Sequence, residues 1–158
     1  MRRPKVYIET SVWGAVVNPE PAYFREAAAR LLNRKDDFLF HISPVVIREI
    51  EDAEISIRAE IEKLVAKTDP LPLEENEAVL DLASYYIEKG IFTEKYGNDA
   101  LHVSTATCHF MDYLVSYNFK HIVRVSRKDI IKAANTILGY HTPVIVSAEE
   151  LVEETLEE

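Results

Sequence analysis

Asn98-Asp99-Ala100-Leu101-His102-Val103-Ser104-Thr105-Ala106 is followed closely by Met111-Asp112-Tyr113-Leu114-Val115-Ser116-Tyr117-Asn118-Phe119-Lys120-His121-Ile122. The first half predicts a helix, with Asn98 as its cap and Asp99 in the first turn, where the helix dipole favours a negative charge. Ala100, Val103, Thr107 and Phe110 recur at helical spacing and make the expected packed face. Asp99, His102, Ala106 and His109 fall on a second, unusually polar stripe. The second half predicts a short buried strand, Tyr113-Leu114-Val115, that ends in Ser116-Tyr117-Asn118. Ligands bind beyond the C-terminal strand ends of an open parallel sheet. A carboxylate at a helix start and a polar group at a strand end can therefore meet at one spot.

The rest of the chain supplies such a sheet. Lys5 to Ile8 is a candidate buried strand, ending at Glu9-Thr10-Ser11. Pro19 to Asn33 reads as a helix, with Pro21 in its first turn and Phe24, Ala27, Ala28, Leu31 and Leu32 on one face. Phe38 to Ile42 reads as a strand. Ser43-Pro44 then opens a helix that turns Val46, Ile47 and Ile50 inward beside Glu49. Ile57, Ile61, Leu64 and Val65 continue the helical period, and Thr68 to Pro72 reads as a loop. Val79 to Ile87 forms a further helix, closed by Gly90. Ser126 to Asp129 resembles a capping box for a helix that ends at Gly139. Val144 to Val146 is a last strand, and Ser147 caps a terminal helix. Strands alternating with helices imply a parallel sheet covered on both faces, an α/β protein with a three-layer α/β/α architecture.

With 158 residues, the chain reads as one domain, able to bury about 70% of its unfolded surface. Cys108 is the only cysteine, so no disulfide or cysteine-rich zinc site is expected, and a reducing cytoplasm fits. The apolar run after the basic start is too short for a signal peptide, and no stretch suggests a membrane span. The net charge of −9 argues at first against a polyanionic partner. Its distribution weakens that argument. Glu149, Glu150, Glu153, Glu154, Glu157 and Glu158 form an acidic C-terminal tail over residues 149–158, while Lys120, Arg124, Arg127, Lys128 and Lys132 cluster against a single acid, Asp129.

Glu9, Glu49, Asp99 and Asn118 stand out as polar groups at element ends or beside the core. Carboxylates gathered together repel unless a hard cation lies between them, and Mg²⁺ or Mn²⁺ prefers such oxygen donors. The chain here resembles the PIN domains, metal-dependent ribonucleases that include the VapC-type toxins. Tyr7-Ile8-Glu9-Thr10-Ser11 is similar to the family's first motif, and Ser43 through Glu49 to its second. Asp99-Ala100-Leu101-His102-Val103 resembles the third, and Leu114 through Ile122 the fourth. Gly139-Tyr140 through Pro143, followed by Ser147 to Leu151, resembles the family's usual ending. Two positions depart from the common pattern: Glu9 stands where Asp is usual, and Asn118 where an acid is frequent. Both match a subgroup with Tyr-Ile-Glu-Thr and Asn-Phe-Lys-His sequences.

The resemblance implies a PIN-like fold and an endoribonuclease that leaves a 5′-phosphate. Glu9, Glu49 and Asp99 would bind Mg²⁺ or Mn²⁺, with Asn118 assisting in catalysis. It also implies a small antitoxin partner and a homodimer. Thr10 and Ser11 are expected to hold substrate phosphate or a metal-bound water. Lys120, Arg124 and Lys128 form either phosphate contacts or a solvated helix face. His102, one helical turn from Asp99, could orient a ligand, but reads better as a satisfied, partly buried histidine, and Asp112 reads as structural. The alternative to catalysis is a PIN-like module that only binds RNA or protein, which Glu9 and Asn118 keep open.

Overall fold

Val6, Tyr7 and Ile8 are fully buried because their strand, β1 (Lys5–Ile8), lies at the centre of a five-stranded sheet. The computed structural model describes residues 2–155. On one side of β1 runs β2 (Leu39–Ile42), with β3 (Leu71–Pro72) at the edge; on the other run β4 (Tyr113–Val115) and β5 (Val144–Val146). The order is β3-β2-β1-β4-β5, and every pairing is parallel. Parallel strands need crossovers, and seven α-helices among the described residues lie in them: α1 (Thr10–Val17), α2 (Ala22–Leu32), α3 (Pro44–Glu51), α4 (Ile55–Thr68), α5 (Glu77–Glu88), α6 (Gly97–Cys108) and α7 (Val125–Ile137); α8 (Ala148–Glu154) follows β5. α2 packs against α1 and α8, and α5 against α6; α4 packs on α1 and α3. The expected three-layer α/β/α architecture is the one observed.

Strand order reverses between β1 and β4, because the chain builds outward to β3 and then crosses back over β1. A crevice opens at such a reversal, beyond the carboxyl ends of the two strands. Val6 pairs with Tyr113, Tyr7 with Leu114 and Ile8 with Val115. Glu9 continues this ladder, its N–H donating to the Val115 carbonyl at 3.0 Å, so Glu9 and Ser116 emerge together at the crevice. Asp112 lies at the opposite end of β4, where its carboxylate accepts from the Lys5 N–H at 2.8 Å and pairs with Arg2 at 3.2 Å. It fastens the sheet's far edge, as a structural residue should.

Several local expectations are corrected. α1 was not anticipated; the strand ends at Glu9 as expected, but Glu9 also caps a helix immediately, accepting from the Ser11 N–H at 3.0 Å. α6 begins at Gly97, not after Asn98, because a 3₁₀ turn (Glu94–Tyr96) feeds directly into it. Of its expected packed face, Ala100, Val103 and Thr107 are buried. Phe110 is 69% exposed, since the helix has ended and its φ of 58° turns the chain away. His102, on the polar stripe, is wholly buried, not partly. Ile47 faces solvent. β3 occupies the end of the expected Thr68–Pro72 loop as an edge strand of two residues. The Ser126 capping box does not form; a π-helical turn (Phe119–Val123) leads instead into α7 at Val125. Gly90 and Gly139 do end α5 and α7, at φ 72° and 80°. Ser147 caps α8 with a full capping box to Glu150. The acidic stretch from Glu149 through Glu154 is helical and buries Leu151 and Val152, while residues 156–158 lie outside the described residues.

Candidate metal and active site

Glu9 is 6% exposed, and three donors hold its carboxylate. Oε1 accepts from Ser11 Oγ at 2.5 Å and Ser116 Oγ at 2.6 Å, and Oε2 from the Ser11 N–H. Those hydroxyls also accept from backbone: Ser11 Oγ from the Tyr117 N–H and Ser116 Oγ from the Asn118 N–H, each at 2.9 Å. The ends of β1 and β4 are thus laced together around one carboxylate.

Glu49 reaches the same place from α3. Its Oε1 accepts from Thr10 Oγ1 at 2.6 Å and lies 2.6 Å from His102 Nε2. The other ring nitrogen, Nδ1, is 2.7 Å from the Tyr7 hydroxyl, which is itself 2.7 Å from Ser43 Oγ. Ser43 caps α3 by accepting from the Val46 N–H. A hydrogen-bonded chain therefore runs from the cap of the helix that carries Glu49, through β1 and α6, back to Glu49. His102 Nε2 also stands 3.8 Å from Glu9, and Glu9, Glu49 and His102 each offer one ligand atom within 4.8 Å of the others.

Asp99 stands outside that group. Its Oδ1 accepts from Asn118 Nδ2 at 3.0 Å, while Asn118 Oδ1 accepts from the His121 N–H at 3.1 Å and caps the π-helical turn. Asp99 still feels the cluster: burial pushes its carboxyl up, His102 pulls it down, and Glu9 adds to the rise. Burial alone would raise Glu49 as well, but its bond to His102 and the imidazolium charge, helped by Thr10 and Asn98, bring it below its usual value. Burial works against charge on His102 too, yet the bond to Glu49 and the fields of Glu9, Glu49 and Asp99 raise it. Among the described residues, Glu9 and Glu49 are ion-paired with His102, and no lysine or arginine forms an ion pair with Glu9, Glu49 or Asp99.

Of the sequence-derived site, then, Glu9 and Glu49 come together, with Thr10 and Ser11 hydrogen-bonded to them. Asp99 and Asn118 form a second pair beside them. Lys120 and Arg124 are exposed on and just after the π-helical turn, with no ion pair among the described residues. Lys128 lines a cleft between α7 and the segment entering β5. Ser116 and the pairing of His102 with Glu49 were not foreseen. A serine placed two residues before Asn118 at a strand end was the only available hint of the first. Nothing in the sequence pointed to the second, because α3 and α6 are far apart in the chain.

No protein-family model and no curated protein matches the sequence. Solved structures do match its fold. VapBC2 from Rickettsia felis, bound to a DNA fragment from its promoter, superposes with a TM-score of 0.53 over 73% of this chain and 89% of its own, at 16% identity. VapC20 from Mycobacterium tuberculosis, a toxin that cleaves the sarcin-ricin loop, gives 0.54 over 73% and 92%, at 15% identity. The fold is that of the VapC toxins. That fold is the one the PIN resemblance of the motifs implied, and the cluster of Glu9, Glu49 and His102 lies at its topological switch point.

Proposed function

We propose that this chain is a metal-dependent endoribonuclease and the toxin of a toxin–antitoxin pair. One observation carries the reading: Glu9 and Glu49, ion-paired with His102 and with no lysine or arginine among the described residues, gather at the switch point of a VapC-type fold. That donor set suits a hard divalent cation, because carboxylate oxygens prefer Mg²⁺ or Mn²⁺. Glu9 and Glu49 would hold it, with Asp99 as a further oxygen donor. Bound there, the ion would acidify a water and neutralise charge on a phosphodiester.

The chain's own residues prepare the site. Ser11 and Ser116 fix Glu9, Thr10 and His102 fix Glu49, and Asn118 orients Asp99. His102 acts here as a positioning residue. Lys120, Arg124 and Lys128 supply phosphate contacts. The VapBC2 and VapC20 structures support RNA as the substrate and a small antitoxin as the partner, and the reading extends to a homodimer working in the cytoplasm. No helix among the described residues is long and apolar enough to cross a membrane.

The deciding experiment is a cleavage assay on structured and unstructured RNA with Mg²⁺, Mn²⁺ or chelator. Cleavage is expected with either metal and none with chelator. RNA binding that needs no metal and never leads to cleavage would overturn the reading in favour of a binding module. The basic segment gives a second expectation. Replacing Lys120, Arg124 and Lys128 with Ala should flatten the salt dependence of single-stranded RNA binding by about 2 in log–log slope, with similar loss for every sequence. An unchanged slope would return these residues to a solvated surface.

A further inference from the structure

Four aromatic rings gather at the lip of the site, and most of them do nothing for the core. Tyr117 follows β4, and its ring stacks on Phe24 of α2 with centroids 4.3 Å apart and 20° between planes. Phe119 joins them, 5.9 Å from Phe24 and 6.3 Å from Tyr117, and Tyr23 meets Phe24 edge-on at 4.6 Å. Tyr117 packs against the hydrophobic core, but Tyr23, Phe24 and Phe119 are not part of it, and Phe119 is 44% exposed. The rings are nonetheless held in place. The Tyr117 hydroxyl donates to Glu149 at 2.7 Å, and its backbone N–H donates to Ser11 Oγ, the same hydroxyl that binds Glu9. Phe119 follows Asn118, whose amide binds Asp99. The aromatic group is therefore tied by one or two hydrogen bonds to both halves of the carboxylate site. Beside it, between the end of α1 and the start of α2, opens a cavity of about 430 Å³ lined by Ser11, Gly14, Asn18, Pro21, Phe24 and Tyr117.

The exposed Phe119 ring, backed by the stacked pair Phe24 and Tyr117 next to a phosphate-handling site, suits a nucleobase, which stacks on aromatic rings whatever its sequence. A protein segment would equally cover apolar rings, but it would not account for the exposed cations Lys120 and Arg124 that flank Phe119 and match a polyanionic backbone. A base inside a duplex cannot offer its face. We propose that Phe24, Tyr117 and Phe119 form a stacking subsite for an unpaired nucleobase next to the phosphate that a metal ion at the carboxylates would hold. This subsite rests on the nuclease reading for its location, but its occupancy is measurable without catalysis.

The test is equilibrium binding, in chelator, of a single-stranded oligoribonucleotide, the same strand in a duplex, and copies of it with one base at a time removed to an abasic sugar. Wild type, Phe119→Ala, Phe119→Leu and Phe119→Trp are compared, and cleavage of the single strand is followed in Mn²⁺. Phe119→Ala and Phe119→Leu should each weaken single-strand binding about tenfold or more, with duplex binding and salt slope unchanged. Phe119→Trp should restore it. One abasic position should cost wild type a similar factor and cost Phe119→Ala nothing further. Phe119→Leu keeps an apolar side chain at a half-exposed position, so it controls for folding; binding equal to wild type in this variant would overturn the subsite. Unchanged RNA binding with altered sedimentation of Phe119→Ala would instead make the surface a protein interface. Loss of binding in Phe119→Ala together with no metal-dependent cleavage by wild type would keep the subsite and discard the nuclease. Normal cleavage and normal binding by every variant would do the reverse.

Discussion

Asp99→Asn should lose most of the thermal stabilisation that Mn²⁺ gives the wild-type protein. At free metal roughly a hundredfold above its dissociation constant, wild type should gain about 2.7 kcal/mol, which for a chain of this length raises Tm by about 5–10 °C. The substitution keeps the shape of the side chain and its contact with Asn118 but removes a charged oxygen donor. Cleavage should fall more than about 100-fold, beyond the usual cost of removing an outer partner of a metal ligand. In chelator the sign reverses. Burial and Glu9 raise the Asp99 carboxyl, so its ionised form costs the metal-free fold stability. That cost is absent well below the ordinary carboxylate range and is complete once pH has risen past the folded-state value. Asp99→Asn should thus be slightly more stable than wild type at neutral pH, with the gain fading in acid. The lost helix-start charge offsets it by roughly 0.3–1 kcal/mol. Thermal unfolding of both proteins across a Mn²⁺ titration measures all of this. Equal metal-induced shifts would show that Asp99 is not a ligand and would leave the nuclease reading without its third acid.

Asp99 and Glu9 were legible in the sequence because both follow from local rules. An acid at a strand end or a helix start advertises its position through the pattern of the element beside it. Asn118 was legible for the same reason, after the run Tyr113-Leu114-Val115. Glu49 stood out less, on a helix face shared with Ile50. What local pattern could not supply was pairing across elements. The Glu49–His102 contact joins residues 53 apart in the chain, and the Ser116–Glu9 bond joins residues 107 apart. His102 looked like part of a polar stripe on α6, and only the closure of α3 onto α6 brings it against Glu49. α1 was missed because its start is fixed by a side chain, Glu9, that the strand pattern had already claimed. Ile47 was placed inside by helical period, but α3 is eight residues long and its period alone does not say which flank meets its neighbours. The aromatic lip was equally hidden: Phe24 and Tyr117 are separated by most of the chain and meet only once α2 has folded beside the end of β4.

His102→Phe should unfold more easily than wild type by about 4 kcal/mol in chelator, measured by urea denaturation. His102 is wholly buried, with both ring nitrogens engaged. Phenylalanine fills most of its space, so the loss is chiefly polar. The Tyr7 hydroxyl keeps Ser43 but loses its second partner, worth about 1 kcal/mol. Glu49 loses the group that holds its charge, and removing one partner of a buried ion pair costs roughly 3–5 kcal/mol. The Glu49 side chain is 29% exposed, so water takes up part of that cost and the lower end is expected. Metal binding separates a positioning role from a purely structural one. If His102 aims Glu49, His102→Phe should weaken Mn²⁺ affinity by about 10–100-fold, as loss of an outer-shell partner does elsewhere. His102→Gln, whose amide can still donate to Glu49, should recover much of that affinity while remaining less stable than wild type, because it cannot also reach Tyr7. Affinity lost equally in Gln and Phe would mean that the imidazole itself takes a ligand position. A His102→Phe protein within about 1 kcal/mol of wild type in chelator would mean that the Tyr7–His102–Glu49 chain does not hold the site together, and Glu49 would need another support.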